Sequence, residues 1–419
     1  LGFLSDFVPE AYPIRGFLNA SLDIRGTDAQ PEITLAWNTP KLSINQAEVD
    51  QFTGTIIYKD RQLRIGAERT PLQFSIGANQ ALASGLIPFN LSLRDFKAEP
   101  EPQDIEGRLD VEIKDLDFLP LIVPQFGLAR ATGGMNVTIG GPLSSPQLRG
   151  VANLRDFAFD MPDSHIRVDN AKLALDFTQG GLNIRGIEGE LNGGRFQIRG
   201  SLQSNWLEVS SVNFSVALRD GCTLEQPGIY RIKFGDADFS MRGEVVATDD
   251  IVKLPPLSGS IYIVEGQYEQ HWQELVKQWF DKEAEVQFEV LSDYPVVRDL
   301  QLDMNVVAPD FQVVSDLGEI DIQASVNGKI VGPIRRPIFS GRVDLVKGEF
   351  SFFALNYPFS IKSGSYIENR SQLEFNPRYE IYAETAEPIL SVEVETTDGQ
   401  VHTKDLKVTA HLSGSLNEH

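Results

Sequence analysis

The sequence predicts an all-β protein built from antiparallel strands, with one amphipathic helix. Three observations predict this fold class. Apolar and polar residues alternate along most of the chain, Gly, Asn, Asp and Pro separate the alternating runs, and the pattern repeats with an offset of 115 residues. Alternation with a period of two gives each strand one apolar and one wet face, which is typical of antiparallel sheets.

The alternating runs supply the residues that we expect on the apolar face. In GMNVTIGG, for example, the apolar residues point to one side, and Asn136 and Thr138 point to the other. The same alternation of apolar and polar residues continues to the end of the chain, where LKVTAHLSG is predicted to be one strand. The residues predicted to line the apolar face are Val137, Ile139, Leu173, Leu175, Phe177, Leu182, Ile184, Phe196, Ile198, Ile330, Val343, Leu345, Val392, Val394, Val408 and Leu412.

Internal repeats divide the chain. LGFLSDFVP at residues 1–9 matches LDFLPLIVP at 116–124, and an offset of 119 later aligns Tyr58 with Phe177 and Leu63 with Leu182. The sequence therefore predicts three units, which are residues 1–115, 116–230 and 231–419.

A glycine–four residues–proline step recurs in all three units. It occurs at Gly26–Pro31, at residues 141–146 and at Gly332–Pro337, and in the third unit it is followed by Gly341 and Gly348. Proline fixes φ and cannot donate to a ladder, and glycine adopts turn conformations that a side chain opposes. We interpret each step as a strand-to-strand turn.

Residues 271–282 break the β pattern. Their apolar side chains recur with the spacing of one face of an α-helix, and polar residues occupy the other face. This helix is predicted to cover an apolar sheet face, and a membrane-surface helix is the alternative. Its apolar stripe consists of Trp272, Leu275, Val276, Trp279 and Phe280. The segment DLDFLPLIVPQF, which contains two prolines, is predicted to form at most one or two helical turns.

Composition excludes several classes of function. Of 419 residues, 59 are acidic and 37 are Lys or Arg, so the net charge of −22 argues against nucleic-acid binding. The single Cys222 excludes an intrachain disulfide and a cysteine-based zinc site, and it leaves the compartment open. No apolar run is long enough to cross a bilayer, and the chain begins at Leu1, so we expect any membrane anchor to lie outside this sequence.

The sequence shows no pattern typical of catalysis. The five histidines have no metal-binding spacing, and there is no GxSxG motif or phosphate-binding loop, so we predict no catalytic residue, no metal and no cofactor. In DIEGRLDVEIKDLDF, the residues Asp104, Asp110, Asp115 and Asp117 could form a carboxylate cluster for glycoside hydrolysis or calcium. They alternate with apolar residues, so a solvated strand face explains them better.

Residues 117–202 and 340–387 resemble the repeat unit and the C-terminal portion of the TamB family of AsmA-like envelope proteins. The resemblance rests on the G-x-φ-x-φ-x-x-G-x-φ pattern, the "f-x-i-x-x-G" step and Asn376–Pro377. It implies an elongated, twisted β-groove (a β-taco) with an apolar interior, which spans the periplasm from an inner-membrane anchor to the outer membrane. It also implies transfer of phospholipids and partnership with an outer-membrane barrel of the TamA type. The family's membrane helix is absent, and its final segment is expected beyond His419.

Three alternatives remain open at this point. An ordinary closed sandwich would produce the same alternation of apolar and polar residues. The alternation shows which face of a strand is apolar, and it does not show what covers that face. The resemblance also admits an assembly factor for outer-membrane β-barrel proteins, whose strand edges would pair with substrate strands. A carbohydrate-binding or adhesive β-solenoid would need short coils of constant length and a carboxylate-lined cleft, and the sequence contains neither.

Overall fold

A computed structural model describes residues 14–66, 69–92, 97–100, 103–205, 208–247, 252–269, 300–315, 320–352, 355–395 and 401–415. Twenty-five of its strands belong to one large sheet, and the remaining strands form two separate two-stranded sheets. The described registers are antiparallel except for that of one pair of strands. The structure therefore confirms the predicted all-β class.

The chain divides into two compact units, which are residues 1–216 with 241–253, and residues 217–240 with 254–419. The first compact unit contains most of both repeat copies, and the division into three repeat units stays a prediction from the sequence. The two copies are joined by strand pairing, since the strand Asp104–Ile113 of the first copy pairs with Leu128–Pro142 of the second.

The strands of the first unit follow one another along the sheet in an order close to their order in the chain. They are β1 (Ile14–Gly26), β2 (Pro31–Ile44), β3 (Ala47–Val49), β4 (Gln51–Lys59), β5 (Gln62–Ile65), β6 (Leu72–Ile76), β7 (Asn79–Ser92), β8 (Lys97–Pro100), β9 (Asp104–Ile113), β10 (Leu128–Pro142), β11 (Gln147–Met161), β12 (Ile166–Thr178), β13 (Gly181–Leu191) and β14 (Gly194–Asn205). β15 (Glu208–Arg219) and β17 (Tyr230–Glu244) contain residues of both units, and β16 (Thr223–Gln226) pairs with β17. β18 (Val246–Ala247) and β19 (Val252–Lys253) form a small separate sheet.

The remaining strands belong to the second unit. They are β20 (Leu257–Glu269), β21 (Gln301–Val314), β22 (Ile320–Pro333), β23 (Ile338–Phe352), β24 (Leu355–Ile361), β25 (Tyr366–Asn369), β26 (Arg378–Thr385), β27 (Leu390–Glu395), β28 (Val401–Leu406) and β29 (Thr409–Ser415). β20 and β21 are the parallel pair. A parallel pair needs a long crossover connection, and the chain supplies residues 270–300 between the two strands. The predicted helix 271–282 falls in this connection and lies outside the described residues.

The repeat is visible in the strand registers. Ile24 faces Ile33 in the first copy, and the residues 115 positions later, Ile139 and Leu148, also face each other. Likewise Tyr58 faces Leu63, and the residues at an offset of 119, Phe177 and Leu182, form a pair. Equivalent sequence positions therefore occupy equivalent places in the ladder.

The glycine–proline steps are turns, as the sequence predicts. Gly26, Gly141 and Gly332 have φ values of 84°, 87° and 95°, a left-handed conformation that favours glycine. In the second and third steps a backbone hydrogen bond closes the turn, from Ser145 N to Pro142 O at 2.9 Å and from Arg336 N to Pro333 O at 2.8 Å. All three steps thus share a left-handed glycine, and the first is closed by a different bond, from Thr27 N to Gln30 O at 3.2 Å.

Bulges recur in the pairings of β10 to β14. The register shifts at Arg130/Thr132, at Leu154/Phe157, at Asp169/Lys172 and at Ile184/Ile187. Asp156 and Asn170 lie within two of these shifts at φ values of 52° and 53°, which asparagine and aspartate tolerate best among residues with a side chain. Bulges bend a strand and increase its twist, so we expect each of these strands to bend at its register shift.

One short helix, α1 (Leu119–Ile122), interrupts the strands of the first unit, as predicted for the proline-containing segment. Phe118 and Ile122 pack against a cluster built on Ala47, Val49 and Ile76. Among the described residues, a 3₁₀ turn also covers Pro162–Ser164. No helix in the described part of the chain has the length and apolar character needed to cross a membrane.

Candidate functional site

The candidate site is the apolar face of the first unit, which we define by three cross-strand rows of residues. Paired residues of antiparallel strands point to the same side, so a row of direct partners stays on one face. The first row runs across six strand pairings and contains only apolar residues, which are Ala83, Leu109, Val137, Gly150, Phe177, Leu182 and Leu202.

Two parallel rows extend this face along the strands. The second consists of Ala81, Val111, Met135, Ala152, Leu175, Ile184 and Gly200. The third consists of Ile113, Gly133, Leu154, Leu173, Ile187 and Ile198. None of these positions carries a charged or hydrogen-bonding side chain. The rows bring seven of the predicted lining residues together.

Two further predicted lining residues lie beside these rows. Ile139 pairs with Gly107 and Leu148, one step beyond the first row. Phe196 pairs with Gly189, one step beyond the third row. All nine residues that the sequence predicted between 137 and 198 therefore lie on the same side of the sheet.

The large side chains of this face are only half-buried. Every Leu, Ile and Phe between residues 147 and 204 has intermediate exposure, and the buried residues of this stretch are small or β-branched: Ala152, Ala158, Val168, Ala171 and Gly194. In a closed sandwich, side chains of the two inner faces interdigitate at the density of a protein core, which buries large aliphatic residues almost completely. The apolar face of the first unit therefore keeps accessible apolar surface.

The opposite face is polar and carries ion pairs between residues two positions apart on one strand. Arg108 Nε lies 2.6 Å from Asp110 Oδ2, and Arg167 Nε lies 2.6 Å from Asp169 Oδ2. The hydrogen bond from Arg108 is the main reason that the pKa of Asp110 lies below its usual range. Asp110, a member of the possible carboxylate cluster, is thus one partner of a surface ion pair.

The other acidic residues of that segment do not converge. Asp104 begins β9 and is exposed, and Asp115 Oδ1 accepts a hydrogen bond of 3.2 Å from Asn79 Nδ2. Among the described residues no group of three or more His, Cys, Asp or Glu side chains could hold a metal ion.

Aromatic rings lying over glycines are a feature of this face that the sequence reasoning missed. A Cβ placed on Gly189 would meet Cε1 of Phe196 at 3.0 Å, and one on Gly54 would meet Cζ2 of Trp37 at 2.5 Å. Each ring therefore lies across the backbone of the neighbouring strand. The glycine that an aromatic ring covers lies on the neighbouring strand. It can be identified only when the register between the two strands is known, and the sequence of one strand does not give that register.

The second unit has its own apolar face, with better burial. Val326, Val343 and Ile367 form one cross-strand row, and Ala324 faces Leu345 in the next. Ala324, Leu345 and Ile361 are buried together, with Val343 packed against them. Three predicted lining residues lie on this face, namely Ile330, Val343 and Leu345, and the first two are half-buried.

The prediction for the last strands needs correction. Val392 and Val394 lie on β27, which pairs only with β28 in a separate two-stranded sheet among the described strands, so they do not extend the large sheet. Val408 lies between β28 and β29 and is exposed. The predicted strand is interrupted at this residue, whose N–H donates a hydrogen bond of 3.2 Å to the hydroxyl of Thr385. Leu412 is on β29, faces Ile381 in the large sheet and is half-buried.

The predicted helical stripe cannot be placed on this face. Trp272, Leu275, Val276, Trp279 and Phe280 all lie outside the described residues.

Cys222 is fully buried, and burial raises the pKa of its thiol from about 9 to about 11. The thiolate is the reactive form, so we expect iodoacetamide at pH 8 to alkylate the folded protein at least about a hundredfold more slowly than the protein in denaturant. Mass spectrometry of timed samples measures both rates. Comparable rates in the two states would contradict the burial of this thiol.

Comparison of the chain with protein-family models, with curated proteins and with solved structures finds no match.

Proposed function

We propose that this protein is a bridge-like lipid-transfer protein that conducts phospholipid acyl chains along its apolar face. One observation carries the proposal, which is that apolar residues of β11 to β14 form continuous cross-strand rows, in a stretch where every Leu, Ile and Phe is only partly buried. Such a surface offers an acyl chain apolar contact over many strands and no directional bond that would hold it in one place.

The energetic argument follows from transfer free energies. Exposing one CH₂ group to water costs about 0.8 kcal/mol, so a 16-carbon chain crossing water would face roughly 12 kcal/mol. An uninterrupted apolar surface removes most of this barrier, while head groups remain in water beside it. Neighbouring strands are about 4.8 Å apart, so each strand added to the sheet lengthens the path by that distance.

The cellular setting of the proposal rests on the resemblance to the TamB family. We propose that the protein acts in the periplasm of a diderm cell envelope, without enzymatic activity, between an inner-membrane anchor and an outer-membrane barrel of the TamA type. The phospholipids that it moves are its principal partners.

The test is native mass spectrometry with lipid extraction on the protein purified from a bacterial host. In the variant Leu175→Asp with Ile198→Asp, two carboxylates enter the apolar rows, and we expect at least about a tenfold loss of copurifying phospholipid, because burying an unpaired carboxylate against an acyl chain is costly. The matched control is Asn153→Asp with Asn183→Asp, which adds the same charge at exposed positions on the opposite face.

The control variant is expected to retain its lipid, and circular dichroism checks that both variants keep their β structure. Wild-type protein without lipid, or equal lipid content in both variants, would contradict the proposal.

A second candidate function, assembly of outer-membrane β-barrel proteins, is favoured by one observation. All residues of β1 are exposed, and among the described strands β1 pairs only with β2. Its free edge carries Leu22 and Ile24, which are 63% and 54% exposed. An edge of this kind can accept a strand of another protein. Photocrosslinkers placed on β1 would then capture unfolded barrel precursors, and crosslinkers at Leu175 would not capture phospholipid.

A further inference from the structure

The sheet formed by β27 and β28, which we call the ribbon, has two chemically different faces. Leu390 faces Leu406 and Val392 faces Lys404, so these four side chains share one side. The other side carries Ser391 and Asp405, joined by a hydrogen bond of 2.6 Å from the serine hydroxyl, and the facing pair of Glu393 and Thr403.

The apolar side of the ribbon is exposed. Leu390 is 55% exposed and Leu406 is 44% exposed, and Ile389 and Val408 at the base of the ribbon are exposed too. Two-stranded sheets are marginally stable alone in water, and a contiguous exposed apolar patch marks an interaction surface more often than a single exposed residue does. The ribbon therefore presents an apolar surface that is suited to a partner.

The distribution of charge indicates which partner fits. The chain as a whole is strongly acidic, with a net charge of −22. On the ribbon, however, the described acidic side chains Glu393 and Asp405 point to the polar side, and the cation Lys404 shares the side of the leucines. Elements that bind at a membrane surface place apolar side chains and lysine together, so that the lysine reaches the phosphates while the apolar groups enter the acyl region.

We propose that the apolar side of the ribbon docks on the surface of a phospholipid bilayer. Leu390, Val392 and Leu406 enter the boundary between head groups and acyl chains, and Lys404 contacts lipid phosphate. The acidic side faces water, where it avoids the negative surface of the membrane. Six-residue strands are about 20 Å long, which matches an element lying in the membrane plane and does not require it to cross. This surface is distinct from the apolar rows of the first unit, and docking there does not depend on lipid transfer along those rows.

The experiment is flotation of the purified protein with vesicles of phosphatidylcholine, with and without added phosphatidylglycerol. We expect Leu390→Asp with Leu406→Asp to reduce the vesicle-bound fraction at least about tenfold. The matched control is Val307→Asp with Val346→Asp, which changes two exposed valines on strands of the large sheet, 39% and 52% exposed, and is expected to bind like the wild type.

Two milder variants, each with one exposed side chain replaced by glutamine, test the role of charge. They are not expected to disturb folding, so their effects report on binding itself. Lys404→Gln is expected to abolish the gain in binding that phosphatidylglycerol provides, and Glu393→Gln is expected to leave binding undiminished. Wild-type protein that does not float, or an aspartate variant that floats like the wild type, would overturn the proposal. Light scattering that shows ribbon-dependent dimers without vesicle binding would overturn it in favour of a contact between copies.

The amount of copurifying lipid separates this inference from the proposed function. Ribbon variants are expected to lose vesicle binding and to keep the phospholipid bound along the first unit. A wild-type protein that floats but carries no phospholipid would contradict lipid transfer and leave membrane docking intact.

Discussion

Replacing Gly348 with alanine is expected to destabilise the second unit by about 3 kcal/mol, one of the two largest effects that we predict. Gly348 lies on β23, faces Ile322 on β22 and has a φ of 140°, a conformation that residues with a side chain rarely adopt. A Cβ at this position would also overlap the carbonyl oxygen of Asp321 and lie 2.7 Å from the Cα of Ile322. The two strands would have to separate where they support the buried cluster around Ala324.

Hydrogen exchange of the β22 and β23 amides measures this effect locally, which suits a chain with two compact units. A loss of about 3 kcal/mol corresponds to exchange faster by about a hundredfold. The matched control is Gly186→Ala on β13, because a Cβ there would meet no atom within 4 Å. That variant is expected to change stability by less than about 0.5 kcal/mol. Equal exchange in wild type and Gly348→Ala would refute the steric argument.

Much of the fold could be predicted because alternation and register act together. A shift of the register by one residue would turn every apolar side chain of a strand to the solvent-exposed face. The alternation therefore restricts which residues of neighbouring strands can pair. The repeat added a second constraint, and the pairing of Phe177 with Leu182 reproduces that of Tyr58 with Leu63. This is why all nine lining residues predicted between 137 and 198 lie on one side of the sheet.

The end of the large sheet could not be predicted in the same way. Leu406, Val408 and Ala410 keep the alternation without interruption, yet Leu406 belongs to the ribbon and Ala410 to the large sheet. At the interruption, Val408 contacts Thr385, which is more than twenty residues away in the chain. The amide of Thr385 donates to Val408 O, and its hydroxyl accepts from Val408 N. Local patterns carry no information about such a contact.

The second property that could not be predicted is how exposed the apolar face is, because the alternation of apolar and polar residues does not depend on it. A strand with one apolar side has the same sequence pattern whether that side meets another sheet or an acyl chain. The partial burial of Leu175 and Ile198 could not be read from their own strands, because it depends on the whole sheet around them. The aromatic rings over Gly54 and Gly189 illustrate the same limit, since each ring covers a glycine of a neighbouring strand.

Replacing Asn369 with leucine is expected to cost about 2 to 4 kcal/mol, because this side chain organises the loop of residues 370–377 from a buried position. Asn369 is 2% exposed, and its Nδ2 donates to Phe339 O at 2.6 Å, Ser371 O at 3.1 Å and Glu374 O at 3.3 Å. Its Oδ1 accepts from the amides of Ser371 and Asn376. Leucine keeps the branched arrangement of heavy atoms at Cγ but has no polar atom, so it leaves these backbone groups without their partner.

We expect the lost hydrogen bonds to change two measurements together, namely cleavage of the loop and amide exchange on β23. A packing defect at Asn369 alone would not be expected to change both. Protease cleavage between residues 370 and 377 should become faster, because the loop loses the hydrogen bonds that order it, and amide exchange on β23 near Phe339 should rise by about thirtyfold or more. Asn305→Leu is the control, since Asn305 is an exposed strand residue of the same unit. If Asn369→Leu left both readouts unchanged, the loop would have to be ordered by contacts other than Asn369. Asn376–Pro377, one of the steps that carries the resemblance to the TamB family, forms the end of this loop. The hydrogen bond from Asn376 N to Asn369 Oδ1 therefore ties that motif to the end of β25.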